Sequence, residues 1–181
     1  MTQGLLTAVN PRAGISSTYH LNTILGSMET LLREVAGPDV ELVIERGSDV
    51  PDLTGAPALI EQVILNLVLN ARDALNGRGR VVITTSALCL NRPDAESPAA
   101  LHAILAVWNN GPGMDQQTQD RAFDPFFTTK SEKRGTGLGL TTIREIVTRH
   151  GGDVRIYVAR PGTTVTVILP THRTGPAEPH S

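Results

Sequence analysis

The chain has 181 residues, 40% of them hydrophobic but only 3% aromatic, and a formal net charge of −2, which suits one domain with an aliphatic core. A sequence pI near 6.2 gives no whole-chain case for nucleic-acid binding, and no apolar run reaches the roughly 18 residues of a membrane span. A lone cysteine, Cys89, cannot form an internal disulfide; with no signal peptide at the start, a reducing, cytoplasmic setting is expected.

Residues 1–17 are polar, contain Gly and Pro, and read as a loose leader. Over 19–36, Leu21, Ile24, Leu25, Met28, Leu31, Leu32 and Val35 recur every 3–4 residues. That period predicts an amphipathic helix, stopped at Gly37-Pro38. Residues 40–45 alternate and predict a strand, followed by a turn-rich connection over 49–57 with Pro51 and Pro57. Residues 58–76 predict the longest helix, so apolar all round that it should be buried; Gly77 and Gly79 end it. Strands are expected over 81–90 and 101–108, with a surface loop over 91–99 between them. A short helix is expected over 118–122 and another over 140–150, stopped by Gly151-Gly152. Strands over 153–158 and 163–169 form a hairpin about Pro161-Gly162. The pattern predicts an α/β two-layer fold, a mixed, mainly antiparallel sheet with about three helices on one face. The domain is expected to cover 18–170, with a frayed tail over 171–181.

Two stretches carry chemistry. The first is 123–140, FDPFFTTKSEKRGTGLGL, which holds every phenylalanine of the chain, Phe123, Phe126 and Phe127. A basic segment without apolar residues follows, then Gly135, Gly137 and Gly139 before a helical run. An aromatic anchor, a mobile charged segment and a glycine turn opening a helix suit a nucleotide lid, since glycines let backbone N–H groups approach phosphate. The spacing is GxGxG, so a dinucleotide-binding turn is not indicated. The second is a polar stripe, Asn66, Asn70 and Asp73, inside the long apolar helix. At about 100° per residue all three share one face, whereas Glu61 lies about 180° away from Asn70 and is expected in solvent. Burying an amide without a partner costs about 1–3 kcal/mol. Either a neighbouring loop backbone or a hydrated Mg²⁺ with phosphate oxygens must satisfy the stripe.

Taken in order, NLVLNARDAL (66–75), NNGPGM (109–114), FDPFFTTK (123–130) and GTGLGL (135–140), with HGG at 150–152 and GT at 162–163, resemble the ATP-binding catalytic domain of bacterial sensor histidine kinases. These belong to the GHKL superfamily, which includes gyrase-type ATPases. The resemblance runs over about 19–170, and NARDA with FDPFFTTK looks most like the nitrogen-sensor subtype. It implies ATP and Mg²⁺ as cofactors. Asn70 would ligate the Mg²⁺ that bridges the phosphates, with Asn66 and Asp73 in the same pocket. Gly111, Gly113 and Met114 would border adenine and ribose, with Thr163 supporting the base-binding Asn109 from below. Phe127, Thr128, Lys130 and Arg134 belong to the lid, Lys130 and Arg134 as phosphate contacts. Gly135, Thr136, Gly137, Leu138, Gly139 and Leu140 would cradle the triphosphate. Asn66, Lys130 and Arg134 would bear on the transfer itself, with the γ-phosphoryl going to a histidine on a separate dimerisation domain and then to a response regulator. No nucleic-acid partner and no membrane insertion are implied, and the chain alone is expected to be monomeric.

Three departures or discriminators stand out. Asn109 replaces the family's usual aspartate, which predicts weaker adenine binding, because charge-assisted bonds are about twice as strong. None of His20, His102, His150, His172 and His180 has the setting of a phosphoacceptor, so the chain reads as part of a longer kinase. Position 66 carries a glutamate base in hydrolysing relatives; Asn66 cannot act as one, which favours transfer over hydrolysis. The alternative is a degenerate module that docks a partner around a vestigial pocket.

Overall fold

A computed structural model describes residues 17–90, 100–127, 139–159 and 161–171. Two sheets and four helices make up these residues. The main sheet has the order β2 (Val40–Arg46), β4 (Gly79–Leu90), β5 (Ala100–Asn109), β7 (Thr163–Pro170), β6 (Asp153–Val158). Only β2 and β4 run parallel; the other three pairs are antiparallel. The connection between the parallel strands carries α2 (Pro57–Ala74), as a crossover requires. A second sheet pairs β1 (Ser17–Tyr19) with β3 (Leu53–Gly55).

Helix α2 lies against β4 and β5, between α1 (Leu21–Ala36) and α4 (Gly139–Arg149). The core is aliphatic, as the composition demands. Leu21, Ile24, Leu25, Met28, Leu32 and Ala36 of α1 are buried at helical spacing. At its start His20 caps: Nδ1 accepts the Asn22 N–H at 3.2 Å, so the neutral ring carries its proton on Nε2 and donates it to Val50 O at 2.8 Å. At its end Gly37, at φ +92°, donates its N–H to Arg33 O.

Three sequence readings change here. Helix α1 begins at Leu21, because Ser17, Thr18 and Tyr19 pair with Gly55, Thr54 and Leu53; what looked like leader and turn-rich connection supplies two short strands. Helix α2 is not buried all round. Ile60, Val63, Ile64, Leu67, Val68 and Ala71 are buried on one face, while Leu65, Asn66, Leu69, Asn70 and Asp73 are half-exposed on the other. The short helix, α3 (Gln116–Arg121), starts earlier than expected because Asp115 caps it, Oδ1 accepting the Thr118 N–H at 2.7 Å. The Thr118 side chain first, then its backbone N–H, hold the Asp115 carboxyl below its ordinary range by hydrogen bonding.

The opposite face of the main sheet carries the alternate residues. One row crosses all five strands as Val43, Val82, Trp108, Thr164 and Tyr157. This places Trp108 and Asn109 on opposite faces at the end of the central strand, the position from which the site is built.

Candidate functional site

The site is assembled where α2, α4 and the ends of β5 and β7 meet. On α2, Asn70 points at the first residue of α4. A Cβ added to Gly139 would stand 2.9 Å from Asn70 Oδ1 and 3.0 Å from Nδ2. Only a glycine leaves that carboxamide its place. Its Nδ2 is buried and finds no hydrogen-bond partner among the described residues. Most buried polar atoms are satisfied, so this nitrogen is where the fold departs from ordinary protein interiors. One turn on, the Ala74 carbonyl approaches Gly111, whose added Cβ would fall 3.3 Å from that oxygen. A single helical turn, about 5.4 Å of rise, thus links the Asn70 end of the site to its β5 end.

At the β5 end the chain folds back on itself around Asn109, which is 5% exposed. Its Oδ1 accepts the Gly111 N–H at 3.0 Å and its Nδ2 donates to Thr163 O at 3.4 Å. Thr163 therefore supports Asn109 through its backbone carbonyl. Gly162, at φ +116°, closes the β6–β7 hairpin against the same residue; an added Cβ would overlap the Asn109 carbonyl oxygen and stand 2.9 Å from Trp108 Nε1. Gly113, at φ +81°, has Val158 Cγ1 at 3.1 Å from its added Cβ. Both turn glycines are demanded by the protein's own atoms, before any ligand is considered. Sequence reading passed over Asn110, whose Oδ1 accepts the Arg80 N–H at 2.7 Å and whose own N–H donates to Arg80 O. This ties the turn to β4; Asn-Gly alone gave no sign of it.

The remaining positions divide. Asn66 is half-buried one turn before Asn70. Asp73 meets the guanidinium of its neighbour Arg72, which donates to its Oδ1 from Nη2 at 2.8 Å and Nε at 3.1 Å, while Arg72 Nη1 reaches Val35 O. Glu61 is exposed, as expected. Met114 is half-buried, its carbonyl accepting from Gln119 Nε2 at 3.1 Å. Leu140 packs on the core. Thr128, Lys130, Arg134, Gly135, Thr136, Gly137 and Leu138 lie outside the described residues, and with them most of the 123–140 stretch read as a nucleotide lid.

The aromatic anchor is not a buried cluster. Phe126 is 75% exposed, at φ +64°. Phe123 and Phe127 are each covered by an arginine: Arg144 of α4 sits 4.7 Å from the Phe123 centroid, and Arg121 of α3 sits 4.3 Å from that of Phe127. Thr141 Oγ1 donates to Phe123 O, so the segment is held to α4. Periodicity could not reveal these arginine caps, because they join separate helices to a loop.

The described histidines have local roles. Besides His20, His102 Nδ1 lies 2.9 Å from Ala100 O and His150 Nδ1 lies 2.8 Å from Ile146 O. Among the described residues no group of three or more His, Cys, Asp and Glu could hold a metal, and no helix is long and apolar enough to cross a membrane.

Comparison with known proteins adds three findings. The model of the family described as histidine kinase-, DNA gyrase B-, and HSP90-like ATPase matches residues 55–173. The signal transduction histidine-protein kinase AtoS of Escherichia coli (strain K12) is 34% identical over 177 residues, 96% of this chain and 27% of that protein; the sensor kinase CckA of Brucella abortus (strain 2308) is 33% identical over 159 residues, 83% of this chain and 16% of that protein. The chain thus spans a minor part of the curated relatives it matches. Among solved structures, the catalytic domain of histidine kinase ThkA, in a nucleotide-free form, superposes with a TM-score of 0.65 at 27% identity, covering 86% of this chain and 95% of that one. A mycobacterial sensor histidine kinase, MprB, shares the fold at a TM-score of 0.68 and 24% identity, covering 88% of this chain and 100% of that one.

Proposed function

This chain belongs to the family of histidine kinase-, DNA gyrase B- and HSP90-like ATPases, and we propose that it is the ATP- and Mg²⁺-binding catalytic part of a two-component sensor histidine kinase, working in the cytoplasm. One observation carries the reading: the buried Asn70 amide nitrogen without a described partner, set against a glycine at the start of α4. A carboxamide oxygen suits Mg²⁺, which takes oxygen ligands and keeps several waters when phosphates supply the rest. Asn70 would hold the ion through Oδ1, and a phosphate or bound water would accept from its Nδ2. Bound there, Mg²⁺ would neutralise charge on the phosphates. Asn66 would line the pocket, and Asn109, between Gly111 and Thr163, would face the base. Lys130, Arg134 and the glycines of 135–139 would close over the phosphates.

The acceptor in this reading is a histidine on a separate dimerisation domain, with a response regulator downstream. Its support is that the matched relatives are named as kinases and that His20, His102 and His150 are engaged in local contacts. Asn66 offers no base for water, so catalysis rests on positioning and charge neutralisation. The nitrogen-sensor subtype rests on 66–75 and 123–130 alone. Nothing in the relatives' names supports the degenerate docking module. Isothermal titration with a non-hydrolysable ATP analogue is expected to give saturable heat with Mg²⁺ and much weaker binding in EDTA; no heat at millimolar nucleotide with Mg²⁺ would remove the reading.

A further inference from the structure

Strand β2 closes one side of the main sheet and pairs only with β4, residue for residue over all seven positions. The Asp39 carbonyl accepts the Gly79 N–H and Gly47 donates to Thr85 O, so odd-numbered residues turn their backbone groups toward β4. Leu42 and Ile44 therefore turn theirs outward. Leu42 O accepts Arg33 Nη1 at 2.9 Å, while the Leu42 N–H and both backbone groups of Ile44 have no bond among the described residues. A carbonyl has two lone pairs, so Leu42 O keeps one for a further donor. Natural edge strands are commonly blunted by a bulge, a proline or a lysine, and β2, VELVIER, has none of these. Beside it, between the strand and the end of α1, lies a groove of about 450 Å³ lined by Arg33, Glu34, Gly37, Pro38, Val40 and Leu42.

The charges around this edge select its occupant. Arg33 and Arg46 both bond the Glu29 carboxylate, at 2.8 and 2.6 Å. Glu41 reaches only Arg80, at 3.7 Å, and Glu34, Asp39 and Glu45 are exposed without an ion pair among the described residues. The charge left over is acidic. A second copy pairing antiparallel about Val43 would set Glu41 against Glu45 twice, and like charges directly opposite are destabilising. A strand with basic residues at those places is attracted instead. Side chains alternate along β2: Val40, Leu42 and Ile44 face the helices, while Glu41, Val43 and Glu45 lie on the open face. A matching strand has basic residues opposite Glu41 and Glu45 and apolar ones opposite Leu42 and Ile44, on the side of the groove. We propose that the outer edge of β2 is a docking surface for an extended basic segment of a partner protein, with the pattern basic, apolar, any, apolar, basic. That pattern reads the same in either strand direction.

The test uses the full 181-residue chain and two end-capped peptides, Lys-Val-Thr-Val-Lys and Glu-Val-Thr-Val-Glu. Amide hydrogen exchange at Leu42 and Ile44 reads the pairing directly. Both amides are expected to exchange freely in the chain alone, and at least about tenfold more slowly with the lysine peptide at saturating, millimolar concentration. The glutamate peptide is expected to bind about tenfold more weakly, since two exposed pairs turn from attraction to repulsion. Glu41→Lys combined with Glu45→Lys, both at exposed positions, is expected to reverse that order. Unslowed exchange at both amides with the lysine peptide overturns the proposal, as does equal protection by the two peptides or an unreversed order in the folded double variant. Slow exchange in the peptide-free monomer assigns the edge to the chain's own residues, and protection that grows with protein concentration assigns it to a second copy; either result overturns the proposal. If the double variant does not fold, the two peptides on the natural chain decide.

Discussion

A buried amide nitrogen left unbonded costs about 1–3 kcal/mol, and Asn70 holds one with no partner among the described residues, against the only residue type that leaves it room. Proteins keep such groups at functional sites and compensate for them elsewhere. Gly139 is accordingly more than a helix start. In Gly139→Ala the new Cβ would stand about 3 Å from both Asn70 polar atoms, nearer than ordinary van der Waals contact. Titration calorimetry is expected to find nucleotide affinity reduced by about tenfold or more, since the displaced amide loses its bond to the ligand, while the melting temperature barely moves. Asn109 behaves differently. From the sequence, Asn109 in place of aspartate is expected to weaken adenine binding; in the structure its Nδ2 donates to the Thr163 carbonyl, a bond an aspartate could not make. The asparagine fits the hydrogen bonds around it, which no comparison of residue types could foretell.

Among the elements, the helices and the long strands were legible because their apolar spacing reports burial directly. The periods over 19–36 and 153–158 correspond closely to α1 and β6. Strands β1 and β3 were not legible: each has three residues, and only their mutual pairing defines them. That small sheet sits against the end of α4, where a Cβ on Gly55 would meet the His150 ring at 3.0 Å. Burial there pushes the Tyr19 hydroxyl up from 10.0 to about 12. A raised folded value means stability complete below the unfolded pKa and lost as pH rises through the folded one. Wild-type stability is therefore expected to fall between pH 10 and about 12, and Tyr19→Phe to lose that decline in alkaline urea titrations. Glu29 of α1 gives the opposite limb. Hydrogen bonds from Arg33 first, then from Arg46 of β2, lower its pKa from 4.5. Its contribution is present above the unfolded value and disappears as pH falls through the depressed one. Glu29→Gln is expected to flatten the acid limb of the stability curve slightly, and an unchanged acid limb would show the pair to be inert, as exposed ion pairs often are.

At the scale of the molecule, layer architecture and motif order pointed to the same answer, and the family match over 55–173 agrees with it. The polar stripe on α2 was legible because Asn66, Asn70 and Asp73 interrupt its apolar residues on one face, although that face is half-exposed rather than buried. What escaped the sequence were contacts that no local period records: Arg144 over Phe123, the pinning of the β5 turn by Asn110 and the press of Gly162 on Asn109, which join elements far apart in the chain, and Arg121 over Phe127, which joins a short helix to the loop after it. The whole account turns on the Asn70 amide being completed by a metal–nucleotide ligand, and one comparison tests that directly. Thermal melts of the natural chain and of Asn70→Ala should be recorded with and without Mg²⁺ and a non-hydrolysable ATP analogue. The account predicts an unliganded variant at least as stable as the natural chain, since an unsatisfied group is gone, together with loss of most of the ligand-induced rise in melting temperature. A variant that keeps the full rise, or that melts several degrees lower without ligand, would contradict it.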